Sequence, residues 1–529
     1  MSTAVRAAPF LSARKTPWRP GWADLVALLV LLPLAAAAIG SFGGAGGESG
    51  YARWWGTMRG WTVLGRTVKL ASLASAIAVA MGWCLAAAAV RCSRRLAGPV
   101  VVLSFLPMLI PSATLATAWI VAAGKQSSFG HLLASAGLGV YSLPAAAVVL
   151  AMRYFGIATA VLTHQQMQQL SHWSAAAVFR VSPPASWVHL RFLPVLRAAV
   201  VAGLIVMLFC MNDHIIPEML LVSVYAPLVM IQYSALQDSA GAAAIAVPVA
   251  GATVAVVAAG LWLVRRGWTD SRPSQGAPPP PAPLPRRLAA GAVVILLLGA
   301  ALGMPLAVLA VRAGSWRAVV QEVRKADSET GQTLFCALAA GAICTAIGAL
   351  LGQRWVRCRR TGRPTAAPLV LLNLAVPATL PAMGMIKLFQ APLLRRFDGT
   401  SLPLIAAYGI RFVPVAALGF YALWRHESEL DELAARVHGV SWWRRAWRVT
   451  FPRRRRALLA VGVLCGLLAA TELEMSILLC APGKATLGTH LNMLIHTSPD
   501  WIVSALTLGI LALTAPGIVL LLLLLRGLR

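Results

Sequence analysis

Long apolar runs alternate with short, mostly basic segments along the whole chain. A helix needs about 20 mainly apolar residues to cross a bilayer's hydrocarbon core. By that measure spans are predicted near 24–42, 65–90, 98–123, 143–163, 196–213 and 241–264. After a gap, six more follow near 288–312, 332–354, 367–390, 403–424, 457–480 and 500–525. The pattern predicts an all-α polytopic membrane protein with about twelve transmembrane helices. The segment Tyr225–Tyr233, beyond Asp213, reads as a short re-entrant or interfacial piece.

Composition agrees and narrows the choice. Of 529 residues, 59% are hydrophobic and only 12% charged, about half the charged share of a soluble protein. A soluble enzyme, a disordered chain and a secreted disulfide scaffold are excluded. The formal charge of +29 is not a nucleic-acid signature, because the basic residues cluster between apolar runs. Placing the N-terminus in the cytoplasm puts 31 basic residues inside and 12 outside, with Arg153, Lys387 and Arg411 inside spans. That is the asymmetry by which membrane proteins fix their orientation. On this reading Arg6, Arg14, Lys15 and Arg19 belong to a cytoplasmic tail ahead of the first span. The eight cysteines are scattered with no CxxC pair, which implies reduced thiols and neither a disulfide framework nor a zinc site.

Residues 265–287, RRGWTDSRPSQGAPPPPAPLPRR, form a polar, proline-rich linker near the middle of the chain. It separates a first six-helix half, 1–264, from a second, 288–529. The halves share detail. Thr67, Gly82, Arg91, Cys92 and Pro111 recur 266 residues later as Thr333, Gly348, Arg357, Cys358 and Pro377, and Pro194 meets Pro452 at an offset of 258. Six spans return the chain to the same side, so the expected architecture is two parallel six-helix repeats. Pro107, Pro111, Pro377, Pro381 and Pro414 lie within predicted spans, where proline kinks a helix.

Only 17 residues are acidic, and Asp213, Glu472 and Glu474 fall at the outer ends of predicted spans, where a charge is costly unless paired or hydrated. Two readings stay open. They line a translocation path and meet a cationic or metal-bearing substrate, or they pair with basic residues and cap broken helices. Lys387 and Arg411 in the second half, and Arg153 in the first, are the candidate partners.

The sharpest local signal lies between the tenth and eleventh predicted spans, DELAARVHGVSWWRRAWRVTFPRRRRAL from Asp431 to Leu458. Acidic residues and two alanines favour a helix over Glu432–Val437. Gly439 then breaks it, and Ser441 can cap a second short helix carrying Trp442, Trp443, Arg444, Arg445 and Trp447, which Pro452 ends. The equivalent loop of the first half, Ser174–Ala199, retains Ala176, Ala177 and Pro194. It has Val181 in place of the glycine and Pro183–Pro184 ahead of Trp187 and His189.

The second-half loop resembles the EAA motif of bacterial ABC importer permeases, with Ala434, Ala435, Gly439 and, thirteen residues on, Pro452. Leu433 occupies the position of the usual glutamate, and Glu432 precedes it. Over nearly its whole length the chain resembles the fused, two-half permeases of the ferric-iron, thiamine and related importers. The resemblance implies a bacterial inner-membrane protein with cytoplasmic termini, an extracytoplasmic solute-binding protein as partner, and two copies of a cytoplasmic ABC ATPase docked on the loops. Ala434, Ala435, Gly439, Ser441, Trp442, Trp443, Arg444, Arg445 and Pro452 would form the stronger docking element, and Ala176, Ala177, Trp187 and Pro194 the weaker. Ferric iron is the first substrate it suggests; thiamine, a polyamine or another small solute are the others. Asp213–His214 departs from the family pattern.

A plain alternative for the loop is a basic, amphipathic stretch at lipid headgroups. For the whole chain it is an ion-gradient-driven secondary transporter, which also has two six-helix halves but does not predict the glycine–proline loop. No GxxxxGK[ST] phosphate loop, HExxH or GxSxG occurs. The expectation is a transport subunit and not an enzyme, without cofactor, metal site or nucleic-acid partner, with ATP bound by another polypeptide.

Overall fold

A computed structural model describes residues 21–40, 50–92, 94–124, 127–135, 139–178, 192–265, 283–425, 434–435, 437–441, 444 and 446–526. Among these residues every regular element is helical. Nine helices are long and apolar enough to cross a membrane singly, and two sharply bent pairs bring the number to eleven. The chain is a polytopic, membrane-embedded all-α protein.

The predicted span at 457–480 is the one that differs. Its helix runs Phe451–Ala470 and opens with four consecutive arginines, Arg453–Arg456, so the apolar part covers only Ala457–Ala470. The chain then breaks at Thr471–Leu473 and restarts as the short helix Glu474–Leu479. The predicted span at 196–213 ends in the same way. Leu193–Asn212 stops at Asp213, and Ile215–Met219 follows as a separate turn. Tyr225–Ser234 is a ten-residue helix, too short to span.

Two predicted spans are not straight. Residues 97–109 and 112–123 meet at 93°, and 367–374 and 379–390 meet at 110°. Pro111 and Pro377 mark the breaks. A proline supplies no N–H and pushes the preceding residue out of the α region, so the helix ends before it. A broken helix strands carbonyl groups that need donors inside a membrane. Two buried or partly buried arginines supply them: Arg153 Nη1 donates to the Ile110 carbonyl, and Arg411 Nη1 donates to those of Val376 (2.8 Å) and Asn373 (3.0 Å).

Met58–Cys92 and Asp327–Thr361 have 35 residues each. At about 1.5 Å per residue they run well beyond a hydrocarbon core of about 30 Å. Both pack tightly through glycine. A Cβ at Gly82 would lie 2.7 Å from the Ala158 Cβ, and one at Gly348 would collide with the Ala416 Cβ. Each also uses one threonine twice. Thr67 donates to the Val63 carbonyl and accepts from Tyr225 N (3.0 Å); Thr333 donates to the Glu329 carbonyl and accepts from Leu487 N (2.8 Å).

The buried residues form two large clusters, and the helices near the chain's two starting points cross between them. Trp22–Gly40 contributes Ala23, Ala27 and Val30 to the cluster of Cys336, Leu351 and Phe420. Its Pro33 carbonyl sits so close to Gly384 that no side chain fits there. Conversely, the helix that begins at Leu284, within the predicted linker, packs Val294, Leu297 and Leu298 on the cluster of Leu70, Ala89 and Val100. The anchor of the first crossing is Asp24, which is fully buried. Its carboxylate accepts from Gly21 N, from Arg354 Nε (3.1 Å) and Nη2 (2.7 Å), from Thr365 Oγ1 (2.6 Å) and from Ala366 N (2.8 Å).

Candidate functional site

Two regions carry the residues singled out by sequence. The first is the loop before Phe451–Ala470. Ala434 and Ala435 lie in a helical turn closed by His438 N to the Ala434 carbonyl and Val440 N to the Ala435 carbonyl, both 3.0 Å. The second of these bonds skips back five residues, as at a helix end capped by a left-handed residue. Gly439 is that residue, with φ +69°. Only glycine takes this conformation without strain, which accounts for its place in the sequence. Ala434, Gly439, Ser441 and Arg444 are all exposed. Trp442, Trp443 and Arg445 lie outside the described residues.

Pro452 does not end a separate helix, as the sequence suggested. It stands in the first turn of Phe451–Ala470, directly after a π-helical turn, Ala446–Thr450. A first-turn position leaves the missing proline N–H without consequence. Trp447 packs on Phe451 (ring centroids 5.2 Å apart), and the Arg454 guanidinium sits over Trp424 at 4.3 Å. The corresponding residues before Asp213 are arranged alike in part. Ala176 and Ala177 fall in the last turn of Leu143–Val178, and Pro194 is the second residue of Leu193–Asn212. Trp187 lies outside the described residues.

The second region lies where the broken helices restart. Asp213 is buried and accepts from Tyr154 OH (2.9 Å) and Ile216 N (3.2 Å), with Arg153 Nε at 3.6 Å. Arg153 thereby serves two purposes, holding the Pro111 break and balancing Asp213. Arg411 holds the Pro377 break by donating to two carbonyl groups, and its charge also faces Glu472 and Glu474. Glu474 meets His214, Nδ1 to Oε1 at 2.7 Å, across 260 residues of sequence. Glu472, partly buried, stands at the break itself, where its carbonyl accepts from Ser476 Oγ at 2.7 Å. Beside these, Tyr225 OH donates to Asn212 Oδ1 (3.0 Å), and Tyr408 OH and Ser476 Oγ share a hydrogen bond.

The structure thus gathers Asp213 and Glu474 with basic partners and places Ala434, Gly439, Ser441 and Arg444 on an exposed turn. Sequence reasoning missed His214 as the partner of Glu474 and missed Tyr154 and Asp24. The signal for His214 was its position beside Asp213 at a span's end. The signal for Asp24 was a lone acid inside an apolar run. Among the described residues no three His, Cys, Asp or Glu side chains gather so as to hold a metal ion.

Comparison with protein-family models, with curated proteins and with solved structures returns no match.

Proposed function

We propose that this chain is the transmembrane permease subunit of a bacterial ABC importer, with two parallel six-helix halves joined by the 265–287 linker. It lies in the inner membrane with both termini in the cytoplasm. A solute-binding protein delivers a small solute outside, ferric iron first among the candidates, and two ATPase copies dock on the cytoplasmic loops.

The observation that carries this reading is the loop turn at Ala434–Val440. It ends on a left-handed Gly439 and exposes Ser441 and Arg444 ahead of Pro452, which is the form required of a short docking element on a partner surface. The two-half reading draws support from matched contacts. Thr67 and Thr333 each accept a backbone N–H in the same way, and Gly82 and Gly348 each face a helix too close for a side chain. Arg153 and Arg411, 258 residues apart, each satisfy the carbonyl preceding a break proline. Closure of the ATPases would pull the two loops together. The straight helices that follow Pro194 and Pro452 would carry that motion to the breaks at Asp213 and Glu472.

Aromatic and arginine anchors dominate interface energetics, at about 2 kcal/mol or more each. Replacing Trp443 and Arg445 together by Ala should weaken ATPase binding to the solubilised permease by roughly 700-fold, about 4 kcal/mol. Uptake should be lost while the protein still elutes as a monodisperse species. Unchanged ATPase binding and uptake in this variant would remove the loop as the docking surface.

A further inference from the structure

A transport route between two helix bundles must be closed by contacts that can be broken. Most side-chain ties between residues before and after the linker do not qualify, because they anchor whole helices. Asp24 with Arg354 and Thr365 fixes the N-terminal helix, and Asn373 donates to the Val30 carbonyl of that same helix. The contact at His214 and Glu474 is different. Both residues stand at a restart of a broken helix, His214 just before Ile215–Met219 and Glu474 as the first residue of Glu474–Leu479. Their side chains are 4% and 15% exposed.

Beside the pair, Ala113, Ile215 and Leu473 form a small apolar cluster edged by Met219, Ile477 and Ile495, with Met219 also packing on one of the large cores. The arrangement is reciprocal. Asp213 and Glu472 stand at the two breaks, so His214 and Leu473 come one residue later and Ile215 and Glu474 two residues later. The side-chain contact joins 214 to 474, and one small apolar cluster holds 215 and 473 together with Ala113. Two small contacts, one polar and one apolar, therefore close the seam at equivalent positions. Arg153 and Arg411 brace the separate helix breaks at Pro111 and Pro377.

We infer that the His214–Glu474 pair, with the small apolar cluster of Ala113, Ile215 and Leu473 beside it, is the gate that seals the translocation route. The inference rests on the transport reading above, but it requires neither an ATPase nor a particular solute. When the helix restarts move apart, the imidazole and carboxylate separate, and the small apolar contact parts with them. Both residues are positioning residues for the route; neither carries out chemistry.

The test uses the purified full chain in proteoliposomes loaded with potassium chloride, with potassium efflux followed by electrode. Wild type should be tight. Glu474→Ala and His214→Ala should each raise efflux at least tenfold, and the exchanged double variant His214→Glu/Glu474→His should return it to near the wild-type rate. A purely structural pair would lower the melting temperature of the single variants without any leak, and tight single variants that elute as monodisperse protein overturn the gate. An exchanged variant that leaks as much as the single ones also overturns it. If either alanine variant fails to fold, Leu473→Ala, on the apolar side of the same seam, gives the same readout. Because the liposomes hold no ATPase, the leak is read apart from docking: leaking variants together with no ATPase bound in the docking measurement above keep the gate and sink the importer. ATPase binding without a leak does the reverse.

Discussion

Replacing Asp24 by Ala should cost about 3–5 kcal/mol of stability, the range for removing one member of a buried ion pair. The carboxylate is fully buried and collects five donor groups from three stretches of chain. Truncation takes away the acceptor for the Ala366 N–H and the Thr365 hydroxyl and removes the carboxylate from Arg354. Unsatisfied buried donors each cost about 1–3 kcal/mol. The N-terminal helix should then detach from Gly384 and Asn373 while the remaining helices hold. The measurement is the melting temperature in detergent, together with proteolysis near Gly21. Asp24→Asn keeps one good acceptor and should lose less. A melting temperature within about one degree of wild type for Asp24→Ala would show that the tether contributes little.

Arg153→Met should have an effect of similar size, again about 3–5 kcal/mol, because it leaves the Asp213 carboxylate buried beside Tyr154 without its cation. The Ile110 carbonyl at the helix break loses its donor as well. The loss should be strongly non-additive. Adding Asp213→Asn to Arg153→Met removes the uncompensated charge and should restore much of the stability. Arg411→Met is the informative contrast. Arg411 donates to two carbonyl groups and, although its charge also faces Glu472 and Glu474, makes no ion pair within 4 Å among the described residues, so its loss should cost less, on the order of 1–3 kcal/mol. Equal effects at the two arginines would contradict the assignment of Asp213 as a charge partner.

The spans could be read from sequence because each is a continuous apolar run, and length is what a bilayer selects. Direction is not encoded in hydropathy. Residues 98–123 and 367–390 pass any length test yet turn by 93° and 110°, and only Pro111 and Pro377 hinted at it. The segment 457–480 failed because hydropathy averages over the break at Thr471–Leu473, and the arginines 453–456 just ahead of it leave only Ala457–Ala470 as apolar helix. The turn at Gly439 was legible, since glycine after two alanines is a local signal with a local cause. The pairings were not. Arg354 lies 330 residues from Asp24, and Glu474 lies 260 from His214. Nothing near any of these residues announces its partner. Such ties are set by which helices the fold places together, and here the N-terminal helix crosses to helices beyond the linker.

The central claim is that the exposed turn at Gly439 docks an ATPase. The most direct measurement is purification of the tagged full chain from membranes in mild detergent, with co-purifying proteins identified and ATP hydrolysis assayed. The account predicts a bound ABC ATPase with vanadate-sensitive turnover, lost from the Trp443→Ala/Arg445→Ala variant. A chain that purifies alone, hydrolyses no ATP and still transports under a proton or sodium gradient would contradict it.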